Sequence, residues 1–479
     1  MAMRNITLIT GEETQGSILR SFDVFSPRTE EVVARCQTAE KRHVAAAMAS
    51  AYAAFKIWRG FSPEKRADTL LSIADELATS STTLAKIIHE EQGKPFVEAE
   101  GEAEFIAEEF RAAAIEGQRF ADCTLPASEV DIERRVMRAP LGVIAGFPSS
   151  NYPAAIAARK IATALAAGCT IVLRAPEEAP GSAFHIADHC VRSALPAGAV
   201  CCLSGNPSDV TSEMIRDPRC AGVSFTGSGR VGRLVLGHAA SAIKPSVVEL
   251  GGAAPVIVCA DVDVATVSSL IVSKKLENAG QNCAAPNYVL VDQSIHDCFV
   301  EELWKKYCDA AVDSEGQVRI GPLISANAVA AYHDRISEYT RHGARIRRLD
   351  AVLPESGHFV PPAIAVGIDA SSAFIHEEVF SPFLPIVSVE SLDEALATAN
   401  ASPLGLVGYG FSASERNARR MAEELEVGSI AINKTGVGDV DAPFGGLRGS
   451  GFGTEGGRYG IEEFLTWKYV SLRHLHSHS

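Results

Sequence analysis

A cysteine and a glutamate stand in settings that suit a nucleophile and a general base. Cys283 lies in Glu277-Asn-Ala-Gly-Gln-Asn282-Cys283-Ala-Ala-Pro, after a helix-like run and beside a glycine-containing turn. Such a position leaves a thiol open to substrate and close to backbone N–H groups. Alone it decides little, because one cysteine among eleven is more often a small buried hydrophobe. Glu249, in Val247-Val-Glu249-Leu-Gly-Gly252, is bracketed by apolar residues. A carboxylate so placed tends toward a raised pKa and suits a general base near neutrality; a strand-end salt bridge is the competing reading. Asn151, in Ser149-Ser150-Asn151-Tyr-Pro153, reads locally as the cap of the helix predicted from Pro153 to Leu165.

A phosphate cradle is the second chemistry on offer. Gly227-Ser228-Gly229-Arg230-Val231-Gly232 follows a strand-like run and opens a helix, so free backbone N–H groups point toward an anion. The spelling fits G-x-G-x-x-G. A simple tight turn spells the same way, and the acidic residue expected about twenty positions on is not clearly placed. His474, His476 and His478 alternate in the tail. With no carboxylate or cysteine among them, a solvated tail is the better reading than a metal site.

Rigid elements must hold these side chains. From Gly142 onward the runs GVIAGF, CTIVLR, AVCCLS, GVSFTG and PVIVCA alternate with turns and helical stretches. That predicts an α/β fold with a parallel sheet, whose ligands bind outside the carboxyl ends of the strands. Residues 41–115 read as surface helices covering a core. Val130, Ile132 and Val136 alternate with charges in the manner of a two-stranded arm with one wet face.

The 479 residues exceed what one core usually supports, and 47% apolar with 22% charged residues gives no argument for long disorder. A net charge of −15 without basic runs disfavours nucleic acid. The weakly polar stretch Ala154–Leu173 is interrupted by Arg159 and Lys160, so no membrane span is expected. The N-terminus reads as mature cytoplasmic sequence, and eleven cysteines without paired spacing fit reduced thiols.

Glu249 and Cys283, 34 positions apart, with the glycine pair after the glutamate and Gly-Gln-x-Cys around the thiol, resemble the signature of the aldehyde dehydrogenase superfamily. Further blocks resemble it in order: Pro140-Leu-Gly-Val to Asn151-Tyr-Pro153, Phe225-Thr-Gly-Ser228 with Gly232, Glu377-Glu378-Val-Phe380-Ser-Pro382, and Pro443-Phe-Gly-Gly446 with Ser450-Gly-Phe-Gly453. The likeness runs from about Asp23 to Leu472. It implies NAD(P)-dependent oxidation of an aldehyde to a carboxylic acid, with Cys283 as nucleophile and Glu249 as the base that hydrolyses the thioester. Asn151 and the cysteine N–H would hold the oxyanion, each such donor being worth about 10²–10³ in rate.

The resemblance also implies a division of the chain. A Rossmann-type NAD-binding domain would span residues 1–118 and 140–251, a catalytic α/β domain residues 252–430, and a β-arm residues 119–139 and 459–479. The arm would pair subunits into a homodimer or homotetramer. Gly227 and Ser228 would face the pyrophosphate, and Glu378 with Phe380 the nicotinamide ribose. Arg174 stands where lysine is usual, and Glu177 would accept bonds from the adenosine ribose while repelling a 2′-phosphate, so NAD is preferred with NADP possible.

Departures from the pattern bear on substrate. Ser149-Ser150-Asn151 replaces the common Pro-Trp-Asn. Arg159 is similar to the arginine with which succinate semialdehyde dehydrogenases meet a carboxylate; a surface ion pair is the alternative. Glu277 stands where those enzymes can have a second arginine, which weakens anion binding and favours a hydroxyl or amine. Ala285 leaves no cysteine for a disulfide switch beside Cys283. Arg159, Glu277 and Asn282 are thus the substrate-binding candidates, and a semialdehyde with a polar or anionic tail the expected substrate. A CoA-acylating relative and a non-catalytic protein on the same scaffold are the alternatives.

Overall fold

The β-branched runs do become strands, and they fall into two sheets. The computed structural model describes residues 3–11, 20–120, 122–127, 129, 131–312 and 315–474. In the first sheet the spatial order is Gly451–Phe452, Ser246–Glu249, Cys220–Thr226, Val143–Phe147, Thr170–Arg174 and Val200–Leu203. All neighbours are parallel except the short Gly451–Phe452 strand. Their burial on both faces matches their continuous apolar spelling. Chain direction across the sheet reverses between Val143–Phe147 and Cys220–Thr226, and ligands of such sheets settle at the carboxyl ends of that pair. Asn151 and Gly227 both lie just beyond those ends.

PVIVCA, the fifth predicted run, does not extend this sheet. As Ala254–Val258 it enters a second, seven-stranded sheet ordered Arg345–Arg348, Ala363–Ile368, Phe383–Val389, Pro286–Asp292, Ala254–Val258, Val407–Phe411 and Ser429–Ile432. Two buried apolar cores follow the same division, one drawn from residues up to Leu250 plus Ile461 and Phe464, the other from Ala253 to Ala431. Glu249 therefore ends one sheet where the chain crosses to the next.

Several helices begin where chemistry predicts. Ser62 accepts a bond from Lys65 N with Pro63 as the first helical residue, opening Pro63–Thr79. Phe96–Glu116 is not the surface helix expected. Its alanines let it pack closely against Pro63–Thr79 and Pro153–Ala166, and this buries Glu102, Glu109 and Glu116 beside Ile106 and Phe110.

The arm is a three-stranded antiparallel sheet in which Ile132–Pro140 is flanked by Cys123–Leu125 and Leu465–Arg473. Trp467, Tyr469 and Leu472 are exposed on the edge strand. His474 approaches Glu133, while Val130, His476 and His478 lie outside the described residues. Among the described residues, no helix is long and apolar enough to cross a membrane, and no His, Cys, Asp and Glu are grouped as for a metal ion.

Between helix Val264–Leu276 and Cys283 the backbone enters the left-handed region three times running, at Asn278 (φ 51°), Ala279 (φ 54°) and Gly280 (φ 77°). A Cβ on Gly280 would stand 2.3 Å from Ser381 O. Both conditions demand glycine. Gly280→Ala is expected to destabilise the fold by about 1–3 kcal/mol, read as a lower denaturation midpoint, and to change the rate at which Cys283 is alkylated. An unchanged midpoint would mean that the Ser381 backbone gives way freely.

Candidate active site

The loop after strand Val143–Phe147 delivers Asn151. Tyr152, not Asn151, is the N-cap of helix Pro153–Ala166 and makes no side-chain cap bond. The Asn151 amide is used across the molecule: Nδ2 donates to Gln281 O at 3.1 Å, and Oδ1 accepts from Ser149 Oγ at 2.7 Å. Its carbonyl accepts from Lys94 Nζ at 3.1 Å and Asn278 Nδ2 at 2.9 Å. These bonds fasten the Asn151 loop to the segment that carries Cys283, which is why the local capping role loses.

Glu249 ends strand Ser246–Glu249, buried, with Oε1 lacking any hydrogen-bond partner. Its side chain faces the Cys283 thiol within hydrogen-bonding reach. Burial, and then the charge of Glu455, push the Glu249 carboxyl up to about 7. Burial, and then the Glu249 charge, push the Cys283 thiol well above its ordinary range. The thiol therefore rests protonated beside a base that can take its proton near neutrality.

Cys283, Glu249 and Asn151 share one wall of a cavity of about 490 Å³. Arg159, Glu277 and Asn282 line it as well, which brings all three substrate candidates to the same space. Arg159 is paired from behind and keeps its Nη1 hydrogens without an acceptor among these bonds. Its Nε and Nη2 donate to Glu109 Oε1 at 2.9 and 2.5 Å, an interior ion pair rather than a surface one. Glu277 accepts from Tyr152 OH and, at 2.7 Å, from Lys274 Nζ. Asn282 Nδ2 donates to Tyr152 OH at 3.2 Å, and its Oδ1 accepts from Ala284 N at 2.9 Å.

Sequence reasoning missed several wall residues. Glu102 receives Lys94 Nζ at 2.6 Å and also the N–H groups of Ala154 and Ala155, anchoring the start of the helix behind Asn151. Lys160 meets Glu455 at 2.5 Å and Ser224 Oγ at 2.9 Å. A signal existed for the acids: Glu98, Glu102 and Glu109 recur at helical spacing beside the apolar positions of one helix. Lys94, Tyr152 and Glu455 carried no such pattern.

The dinucleotide candidates lie beyond the carboxyl ends of two first-sheet strands and on the chain around Glu378 and Phe380. Ser228 caps helix Gly229–Ser241, accepting from Val231 N, and leaves the helix N-terminus facing the carboxyl ends of the strands. Gly227 N is already committed to Glu249 O at 3.0 Å, and a Cβ on Gly232 would strike Leu250 at 2.1 Å. Those glycines thus serve the turn and helix packing. Glu378 accepts from Gly252 N at 3.3 Å, and burial followed by the Glu249 charge lifts its carboxyl to about 7.

A Cβ on Gly251 would meet Glu378 Oε1 at 2.5 Å, so the missing side chain keeps that cradle open. Phe380 adopts φ 43° as the chain turns from Glu378 toward Ser381. Arg174 is largely buried, donating to Gly205 O at 3.4 Å and lying 3.8 Å from the exposed carboxylate of Glu177. An exposed acid at one strand end, a capped helix N-terminus and an open carboxylate cradle fit the ribose, phosphate and second ribose of a dinucleotide.

Comparison with known proteins places the chain in a family. The profile of the Aldehyde dehydrogenase family matches residues 14–470. A 4-(hydroxymethyl)benzenesulfonate dehydrogenase, TsaD1, of Comamonas testosteroni is 36% identical, with 97% of each chain covered. The mitochondrial succinate-semialdehyde dehydrogenase of Mus musculus is 35% identical over 94% of this chain and 87% of its own. The crystal structure of an E. coli NADP-dependent enzyme superposes with a TM-score of 0.93 at 33% identity, covering 98% of both chains. The chain belongs to the aldehyde dehydrogenase family, whose members are oxidoreductases that use NAD or NADP.

Proposed function

We propose that this enzyme oxidises an aldehyde with a polar tail to the carboxylic acid through covalent intermediates on Cys283, with NAD preferred over NADP. The reading rests on one observation: Cys283 and Glu249 face each other on the cavity wall that also carries the Asn151 amide. Glu249 takes the thiol proton as sulfur attacks the aldehyde carbon, giving a thiohemiacetal. One Asn151 Nδ2 hydrogen is engaged by Gln281 O, and the second can meet the alkoxide together with the Cys283 N–H. A bound nicotinamide would supply the hydride acceptor, and loss of the hydride from the thiohemiacetal would leave a thioester on Cys283. Glu249 gives the thiol proton up to solvent, then deprotonates the water that attacks the thioester, and that proton passes to the departing Cys283 sulfur as the acid is released.

The dinucleotide is assigned to residues 1–118 and 140–251, the thiol chemistry to 252–430, and subunit pairing to an arm of residues 119–139 and 459–479. The exposed edge strand Leu465–Arg473 offers unpaired backbone groups to a second copy, giving a homodimer or homotetramer.

Glu249→Gln is expected to keep a burst of NADH, slower because hydroxide must take the proton of a thiol that is no longer raised by the Glu249 charge, followed by turnover slowed about 10²-fold or more. In the unsubstituted enzyme deacylation should fade as pH falls through about 7, because Glu249 is then protonated, and the substitution should flatten that profile. Steady turnover surviving in Glu249→Gln, or a dependence of NADH formation on added CoA, would defeat the hydrolytic reading.

Cofactor choice has its own test. Glu177→Gln removes the charge opposed to a 2′-phosphate while Arg174 stays beside it, so kcat/KM with NADP should rise about tenfold relative to NAD. An unchanged ratio would mean that Glu177 does not select the cofactor.

A further inference from the structure

Every cation on the cavity wall already has a carboxylate of its own. Arg159 is held by Glu109, which is buried behind it. Lys94 lies 2.6 Å from Glu102 and 3.8 Å above the Tyr152 ring. Lys274 is 2.7 Å from Glu277. Against these three cations the wall carries five carboxylates, Glu98, Glu102, Glu249, Glu277 and Glu455. The two charges just behind it, Glu109 and Lys160, cancel each other and leave an acidic excess. An anionic tail would have to enter that field and share Arg159 with a buried carboxylate that already neutralises its charge.

Acceptor capacity, by contrast, is open. A carboxylate offers about four acceptor positions. Glu277 commits one to Tyr152 OH and one to Lys274 Nζ, and Glu98 accepts Asn278 N at 2.7 Å. Building on the aldehyde oxidation proposed above, we infer that the far end of the substrate bears a hydrogen-bond donor, a hydroxyl or an ammonium, and no anionic group, and that Glu277 with Glu98 receives it. Arg159 acts as the counter-ion of Glu109 and holds the wall in shape.

A matched series of benzaldehydes with para methyl, hydroxymethyl, aminomethyl and carboxymethyl groups separates the possibilities, since none of them cyclises. With NAD, kcat/KM for the hydroxymethyl and aminomethyl members should exceed that for the carboxymethyl member by about tenfold or more. Glu277→Gln should lower the aminomethyl-to-carboxymethyl ratio. Glu109→Gln should raise the carboxymethyl member selectively by removing the charge that neutralises Arg159; if that variant does not fold, the Glu277→Gln ratio carries the test.

A carboxymethyl preference in the unsubstituted enzyme, or ratios indifferent to Glu277→Gln, overturns the inference while leaving aldehyde oxidation intact. Failure to oxidise any member, the neutral methyl compound included, counts against the oxidation itself.

Discussion

The site depends on one junction, where the carbonyl of Asn151 is gripped by Lys94 and Asn278 while its amide reaches Gln281. Asn151 comes from the first sheet, and Asn278 and Gln281 belong to the turn before Cys283. A catalytic constellation must hold its geometry to a fraction of an ångström, and a hydrogen-bonded bridge between two otherwise separate cores does this only if its members cannot drift. Lys94 is fixed by Glu102, and Glu102 is fixed by the first N–H groups of helix Pro153–Ala166. The chain of contacts closes on itself, since that helix follows directly from Asn151.

Such a web has to be dry to be stiff, and dryness also sets the acid–base chemistry. Removing Glu249, Glu378 and Cys283 from water raises all three, because burial penalises each charged form. Glu455 and Glu249 add mutual repulsion. One low-dielectric environment thereby supplies two opposite needs: a carboxyl able to exchange protons near neutrality, and a thiol that stays protonated until a base takes its proton. A wetter site would give a fully ionised Glu249, a weaker base for the same task.

Much of the architecture was legible because parallel strands buried on both faces have to be spelled apolar and must alternate with crossovers. GVIAGF, CTIVLR, AVCCLS and GVSFTG became neighbours in one sheet for that reason. The assignment of PVIVCA to a second sheet was not legible, since period and composition do not reveal which sheet a strand joins. Asn151 shows the same boundary from the other side. Its local spelling favoured a helix cap, and only long-range partners, Gln281 and Lys94, decide otherwise. The Glu102–Lys94 pair escaped because its significance is tertiary, and the acids recurring on an apolar helical face were read only as part of a surface cover.

Arg159 carries the most general lesson about reading charge from sequence. An arginine aimed at a pocket suggests an anion, but a guanidinium binds whichever carboxylate is preorganised nearest, and Glu109 lies fifty positions away in another helix. An internal partner fixed by the fold loses little freedom on pairing, whereas a diffusing carboxylate must surrender its own motion and hydration to compete. The internal partner therefore wins unless the substrate brings further contacts of its own. What the wall leaves to recognise is then not the arginine's charge but the acceptor positions that its neighbouring acids still hold open.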